Sequence, residues 1–269
     1  MKRGYIFGTG ERISPDELDN SGCSGFLFNR LLFAYDYVKR NIKKGSLVLD
    51  LGSGEGYGAS YLSDSHLVVG VDAEKCSIKK SQKKYSNKNC FFLPCKGDRL
   101  PFKEDVFDVV ASVHVIEHIK EERDFVSEIH RVLSPGGLFF VHTPNRVLRL
   151  KPGQRPWNRF HVREYDALDL KRALSACFSE IDVYGITGRQ EIFQYEKNRL
   201  NQIKKISALD PFYLHRFMPE WLRYLVVENI KKLYGKKMAV PVRNRFSIQD
   251  FLVVNETMKS FDLLAVCRK

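Results

Sequence analysis

Residues 47–56 read L-V-L-D-L-G-S-G-E-G, one acid followed by three glycines at alternate positions. The apolar residues around Asp50 suit a short buried strand. A glycine turn after such a strand lets the backbone pass close to a ligand and offers it amide N–H groups. Strand, glycine turn and helix is how doubly wound α/β proteins build nucleotide sites at the carboxyl edge of their sheet. A dinucleotide fingerprint starting at Gly52 requires glycines at 54 and 57, but position 57 is Tyr57 and the third glycine is Gly56. Asp50 also adds negative charge where a pyrophosphate would lie; it suits a ligand carrying an ammonium group. A second apolar run ends in Asp72, 22 residues after Asp50, the distance at which an acid accepts both ribose hydroxyls. A further set of residues could move protons: His114, Glu117, His118, His142 and His161. If residues 114–118 are helical, His114, Glu117 and His118 share one face.

The elements that would position these groups follow in order. Residues 66–72 are a second strand and residues 90–93 a third, leading into K-G-D-R-L-P-F at 96–102. Residues 107–113 read as a fourth strand, and H-V-I-E-H-I follows at 114–119. Residues 133–141 give a helix end, a Pro-Gly-Gly turn and a fifth strand. Residues 164–170 start a helix with acids in its first turn, which favours the helix dipole. Residues 180–186 alternate as a sixth strand should, and residues 260–267 make a last one.

Five of these segments, in this order, resemble the motifs of the class I S-adenosylmethionine-dependent methyltransferases. The similarity is to bacterial type-11-like members of small-molecule and sugar pathways. It implies a Rossmann-like, doubly wound sheet of seven strands, mostly parallel with the last antiparallel, and a helical insertion between strands six and seven. It implies S-adenosylmethionine as cofactor, held by Asp50, Gly52, Ser53, Gly54, Asp72, Ala73, Asp98, Arg99, Leu100, Val113 and His114. In the family the D-x-L-P-F turn at residues 98–102 holds the adenine. The T-P-N at 143–145 and F-H-x-R-E-Y at 160–165 resemble a subgroup in which this loop walls the acceptor pocket. Glu117, His118 and His161 are the catalytic candidates. The same region resembles small-RNA 2′-O-methyltransferases that bind a divalent metal through E-x-x-E-H, but His114 stands where the first glutamate belongs; the reading adopted has no metal.

The expected organisation is an N-terminal helical lid at 1–45, a cofactor-binding core at 46–188, a basic helical insertion or cap at 189–250 and the final core strand at 251–269. Within the lid, Arg12 or Arg30 could meet the cofactor carboxylate, or be a solvated surface charge. The net charge is +12. Residues 189–245 carry 13 Lys or Arg against five Asp or Glu, a surplus of eight, and therefore two thirds of that excess. Pro219 fits the first turn of a helix running to about residue 234. The bland reading of this segment is a subdomain packed over the sheet edge. The sharper one is peripheral contact with a membrane or a lipid-carrying substrate; nucleic acid is ranked last, since no RNA-binding signature appears. No run of 18 apolar residues exists, no signal-peptide pattern opens the chain, and six cysteines show no metal or disulfide spacing, which together suit a reducing cytoplasm. The expected reaction is O-methylation of a small-molecule, sugar or lipid-linked acceptor, leaving S-adenosylhomocysteine. An RNA methyltransferase, an NAD-dependent oxidoreductase or epimerase, and a non-catalytic binding module are the alternatives.

Overall fold

A computed structural model describes residues 23–86, 89–97, 99–208, 218, 219, 222 and 246–269. Asp98, Arg12 and, apart from residues 219 and 222, the helix expected from Pro219 onward lie outside the described residues. The elements in chain order are α1 (Cys23–Asn41), β1 (Leu47–Leu51), α2 (Tyr57–Leu62), β2 (Leu67–Asp72), α3 (Lys75–Tyr85), β3 (Cys90–Pro94) and β4 (Phe107–Val113). A 3₁₀ turn at Ile116–His118 precedes α4 (Glu122–Val132), β5 (Leu133–Pro144), α5 (Arg146–Arg149), α6 (Ala167–Leu174) and β6 (Glu180–Gly188). Then come α7 (Gln190–Ser207), β7 (Phe251–Val254) and β8 (Asp262–Arg268).

The strands form one sheet in the order β3-β2-β1-β4-β5-β8-β6-β7. β1 to β5 pair parallel, while β8 runs antiparallel to both β5 and β6. The sheet therefore has eight strands where the sequence suggests seven. The extra one is β7, whose Phe251-Leu252-Val253-Val254 run pairs antiparallel with the outer edge of β6. Its apolar, β-branched residues suit a strand. The order reverses at β1 and β4, and the carboxyl ends of these neighbours open a crevice where ligands of such sheets bind.

Period-two alternation sends successive residues to opposite faces. Val48 joins Val68, Ala111 and Phe140 in one core under α1, α2 and α3, whereas Leu49 and Leu51 join Val71, Val110 and Phe139 in a second core. α4 covers that second core with Phe125, Val126, Ile129 and Val132, all fully buried at helical spacing. Each such side chain contributes about 1.5–3 kcal/mol.

α7 packs Ile192, Tyr195, Leu200 and Ile203 inward, and carries Glu196 and Arg199 on the same buried side. Glu196 accepts a 2.8 Å hydrogen bond from Arg30 of α1, whose Nη2 also donates to Asp262 of β8 at 2.9 Å. Arg30 is thus a buried tie between three elements distant in sequence, and not a solvated surface charge. Removing one partner of a buried ion pair leaves the others without compensation and costs about 3–5 kcal/mol. Arg30→Met should therefore lower the stability measured by urea unfolding by that order. A loss no larger than that of an exposed control such as Arg172→Met would show that Arg30 does not hold the three elements together.

Candidate active site

The glycine turn lies between β1 and α2. Gly52 has φ 83° and a Cβ there would sit 2.2 Å from a Val115 methyl, so only glycine fits. The amides of Gly52 and Ser53 both donate to the Val71 carbonyl, at 2.8 and 2.9 Å, and the Gly54 amide donates to Asp72 Oδ2 at 3.0 Å. These three N–H groups bind the neighbouring strand rather than pointing at a ligand, which corrects the expectation from the glycine pattern. A turn so engaged is a poor phosphate cradle, in keeping with a cofactor that lacks phosphate.

Asp72 accepts one amide on each oxygen, from Gly54 and from Glu74 at 2.8 Å. Each oxygen keeps a further lone pair for a ribose hydroxyl. Ala73 and Arg99 are exposed nearby, and Leu100 is buried with its amide held by Glu128 Oε2 at 2.9 Å. Asp50 is fully buried under the turn and Tyr35 of α1 donates to its Oδ1 at 3.1 Å; the Ala59 amide also favours its charge, and among the described residues Oδ2 has no side-chain partner. Burial raises its carboxyl to about 7, partly offset by the Tyr35 hydrogen bond. Ser53 is buried as well, and Val113 nearly so.

Beyond β4 the chain does not continue as one helix. His114 has φ 56°, and only Ile116–His118 form a 3₁₀ turn. A non-glycine residue in the left-handed region is uncommon and concentrates at functional sites. The consequence is that His114 and His118 do not share a face; they head two separate imidazole pairs. His114 stacks on His142 of β5, with centroids 4.8 Å apart. His118 meets His161 edge-on at 4.9 Å.

Asp262 anchors the first pair. His142 Nε2 lies 3.0 Å from its Oδ2 and His114 Nε2 lies 3.7 Å from its Oδ1. Burial opposes its ionisation, but Arg30 and His142 hold the Asp262 carboxyl well below the usual range. Burial also pushes His114 down to about 3, so its imidazole is neutral and a weak base. Asp262 was not among the residues expected from sequence, and His142 was expected only as one of several histidines that could move a proton. His142 carried only the signal of a histidine near a strand end, and Asp262 sits in an ordinary strand pattern close to the other end of the chain.

In the second pair each Nδ1 is fixed. His118 Nδ1 is 3.1 Å from the Phe160 carbonyl, and His161 Nδ1 is 2.8 Å from Glu164 Oε1. Arg149, stacked on Trp157, donates to Glu164 Oε2 at 2.9 Å. Burial opposes ionisation of Glu164, but Arg149 and His161 hold its carboxyl below the ordinary value.

Glu117 stands between the pairs and is fully buried. The Thr143 hydroxyl donates to its Oε2 at 2.9 Å; its Oε1 has no hydrogen bond and lies 3.8 Å from His114 Nδ1. Burial raises this carboxyl to about 8, outweighing the hydrogen bonds that favour its charge. Ligand atoms of Glu117, His118 and His161 lie within 4.8 Å of one another. Two imidazoles and one carboxylate, with both Nδ1 atoms bonded to oxygen, are a donor set that fits zinc or iron better than magnesium. The cluster can thus hold a proton or a divalent cation.

A family model described as a methyltransferase domain matches residues 49–141. A probable S-adenosylmethionine-dependent methyltransferase of Mycolicibacterium smegmatis is 34% identical over 178 residues, covering 65% of this chain. The match spans 65% of that relative's own length, just under two thirds. A Mycobacterium tuberculosis protein named phthiotriol/phenolphthiotriol dimycocerosates methyltransferase is 35% identical over 98 residues, 35% of this chain and 36% of that one. Among solved structures, a Thermotoga maritima S-adenosylmethionine-dependent methyltransferase, titled a possible histamine N-methyltransferase, superposes with TM-score 0.56 at 16% identity. That superposition covers 91% of this chain and 92% of the other, a likeness of fold. With the glycine turn, Asp72 and the strand order in place, residues 49–141 are similar to the methyltransferase-domain family, and the chain has the fold of S-adenosylmethionine-dependent methyltransferases.

Proposed function

We propose that this protein transfers the methyl group of S-adenosylmethionine to a hydroxyl oxygen of a lipid or lipid-linked acceptor, with Glu117 as general base. The observation that carries the reading is Glu117 itself: a buried carboxyl beside the crevice, fixed through one oxygen, unpartnered at the other and raised to about 8. Methyl transfer from a sulfonium is an in-line displacement, so alignment in a dry pocket supplies much of the rate. A hydroxyl must also lose its proton, and a base with a pKa near the working pH does this best. His118 and His161, locked through their Nδ1 atoms, would wall the acceptor side and orient the hydroxyl. The S-adenosylmethionine itself would be held by the glycine turn, Asp50 and Asp72. Lipid character is supported by the M. tuberculosis relative, whose name carries a lipid acceptor. The part assigned to the basic insertion at 189–250 belongs to the same reading, with α7 and the 3₁₀ turn at Ile248–Asp250 among its described portions.

The sign of the pH dependence follows from Glu117. Below about 8 its carboxyl is protonated and cannot act as base. Turnover should therefore rise with pH and level off above that value. Glu117→Gln should remove this limb and lower kcat by about 10²–10⁴, with affinity for S-adenosylhomocysteine unchanged by calorimetry. A wild-type rate that stays flat between pH 6 and 9 would exclude Glu117 as the base. The same raised pKa has a stability counterpart: the protonated carboxyl contributes most below its unfolded pKa, and that contribution is lost as pH rises through about 8. Thermal unfolding of Glu117→Gln should accordingly fall off less between neutral and alkaline pH than that of the wild type.

A second reading is favoured by the clustered ligand atoms of Glu117, His118 and His161, in which a divalent cation takes the place of the Glu117 proton. Exhaustive EDTA treatment separates the two. Under the base reading turnover survives it; complete loss restored by zinc or iron would transfer the role to the metal.

A further inference from the structure

We infer that the loop between α5 and α6 is a docking surface for an anionic lipid bilayer, placing the His118–His161 pair at the membrane surface. The loop, residues 150–166, contains four Lys or Arg, at 151, 155, 159 and 163, against Glu164 and Asp166. Both acids are engaged by α5, Asp166 by Arg146 and Glu164 by Arg149, and Arg163 pairs with Glu122. Lys151 is exposed and Arg159 is half-buried, which leaves this stretch of the loop with surplus positive charge.

Two large apolar side chains project from that same stretch. Phe160 is 49% exposed and Val162 is 42% exposed, while His161 between them is buried. The alternation turns His161 toward Glu117 and its two neighbours toward solvent. The Arg159 guanidinium lies over the Phe160 ring, 4.9 Å from its centroid. A single exposed apolar residue needs no explanation. Two that flank a buried site residue, one of them under a guanidinium, have the composition of an interfacial anchor: aromatic and aliphatic groups for the acyl boundary, basic groups for anionic headgroups.

The stretch is not free to fold away from this position. The Val162 amide donates to the Glu117 carbonyl at 2.8 Å, and Arg163 donates to the Lys120 carbonyl at 2.8 Å. With the Phe160 carbonyl held near His118 Nδ1, the strip is bolted to the 3₁₀ turn that carries Glu117 and His118. A bilayer touching Phe160 and Val162 would lie one chain thickness from the imidazole pair, so an acceptor could enter without crossing water. Among the described residues no helix is long and apolar enough to cross a membrane, so contact through this loop would be peripheral.

This inference deepens the lipid-acceptor reading and rests on it, but vesicle binding and methyl transfer are measured separately and either can fail alone. The test is co-sedimentation of the full chain with vesicles of phosphatidylcholine alone or mixed with phosphatidylglycerol, at low and high salt. Binding to the mixed vesicles at low salt, and release at high salt, is expected. The double variant Phe160→Ser, Val162→Ser and the double variant Lys151→Glu, Arg159→Glu should each weaken it about tenfold, with affinity for S-adenosylhomocysteine retained. Reversing the exposed Lys79 and Lys83 of α3 serves as the control and should leave most binding intact. The inference is overturned if the mixed vesicles are not bound at low salt. It is equally overturned if both loop variants bind like wild type, or if the control variant loses as much as they do. Retention of a polynucleotide without vesicle binding would assign the basic loop to nucleic acid instead.

Discussion

The buried guanidinium of Arg30 is the interaction on which the site depends. It joins α1, α7 and β8 at the carboxyl edge of the sheet through Glu196 and Asp262. Asp262 in turn fixes His142, and His142 stacks on His114. The strained backbone of His114 therefore rests on an ion pair formed with a residue more than 80 positions upstream. Two charges moved from water into the interior cost several kcal/mol each, and attraction offsets this only with good geometry and further hydrogen bonds. Here the geometry is multidentate: Arg30 reaches Asp262 through Nε and Nη2 and Glu196 through Nη1. Replacement of such a cluster by apolar residues could leave the fold intact. It would leave the imidazoles without a reason to adopt one arrangement.

The cofactor half of the molecule was legible in the sequence because its signals are local. Asp50 and the glycines, the apolar run ending in Asp72, and the order of strands one to five each lie within a dozen residues. Each is set by backbone constraints that a short window displays. The second half required contacts that no window contains. Asp262 reads as one acid in an apolar strand, and only the antiparallel seating of β8 against β5 brings it beside His142. Arg30 reads as a helix-surface charge until α7 places Glu196 over it. β7 escaped for a related reason. Its four residues suit a strand, but the partner edge is β6, more than 60 positions earlier.

Two local inferences were also corrected by geometry rather than by distance in sequence. The i, i+4 spacing of His114 and His118 puts them on one face only if the backbone between them is helical, and the left-handed φ of His114 breaks that premise. The pair becomes two pairs with Glu117 between them. Likewise the glycine turn implies free amides only if no neighbour takes them, and the Val71 carbonyl and Asp72 do so. What remains at the turn is close backbone approach and the Asp72 carboxylate, with a lone pair left on each oxygen. That set is narrower than a generic nucleotide cradle and leaves no ready place for a pyrophosphate.

The buried acids sort into two groups by a simple criterion. Asp262, Glu164 and Glu196 each have a neighbouring arginine, and their carboxyls are held below the ordinary range despite burial. Asp50 and Glu117 are equally buried, yet among the described residues neither has an ion pair with Lys or Arg, and burial raises them to about 7 and about 8. A fold that needed these two acids only for structure gains nothing from leaving each with an unpartnered oxygen. Desolvation without a fixed cation makes a carboxyl responsive, because any cation that arrives favours its charged form. The family's cofactor carries both an ammonium and a sulfonium. The first three acids hold the scaffold in one arrangement; the other two are the carboxyls whose charge a cation or a proton at the crevice would decide, which is what the proposed chemistry asks of them.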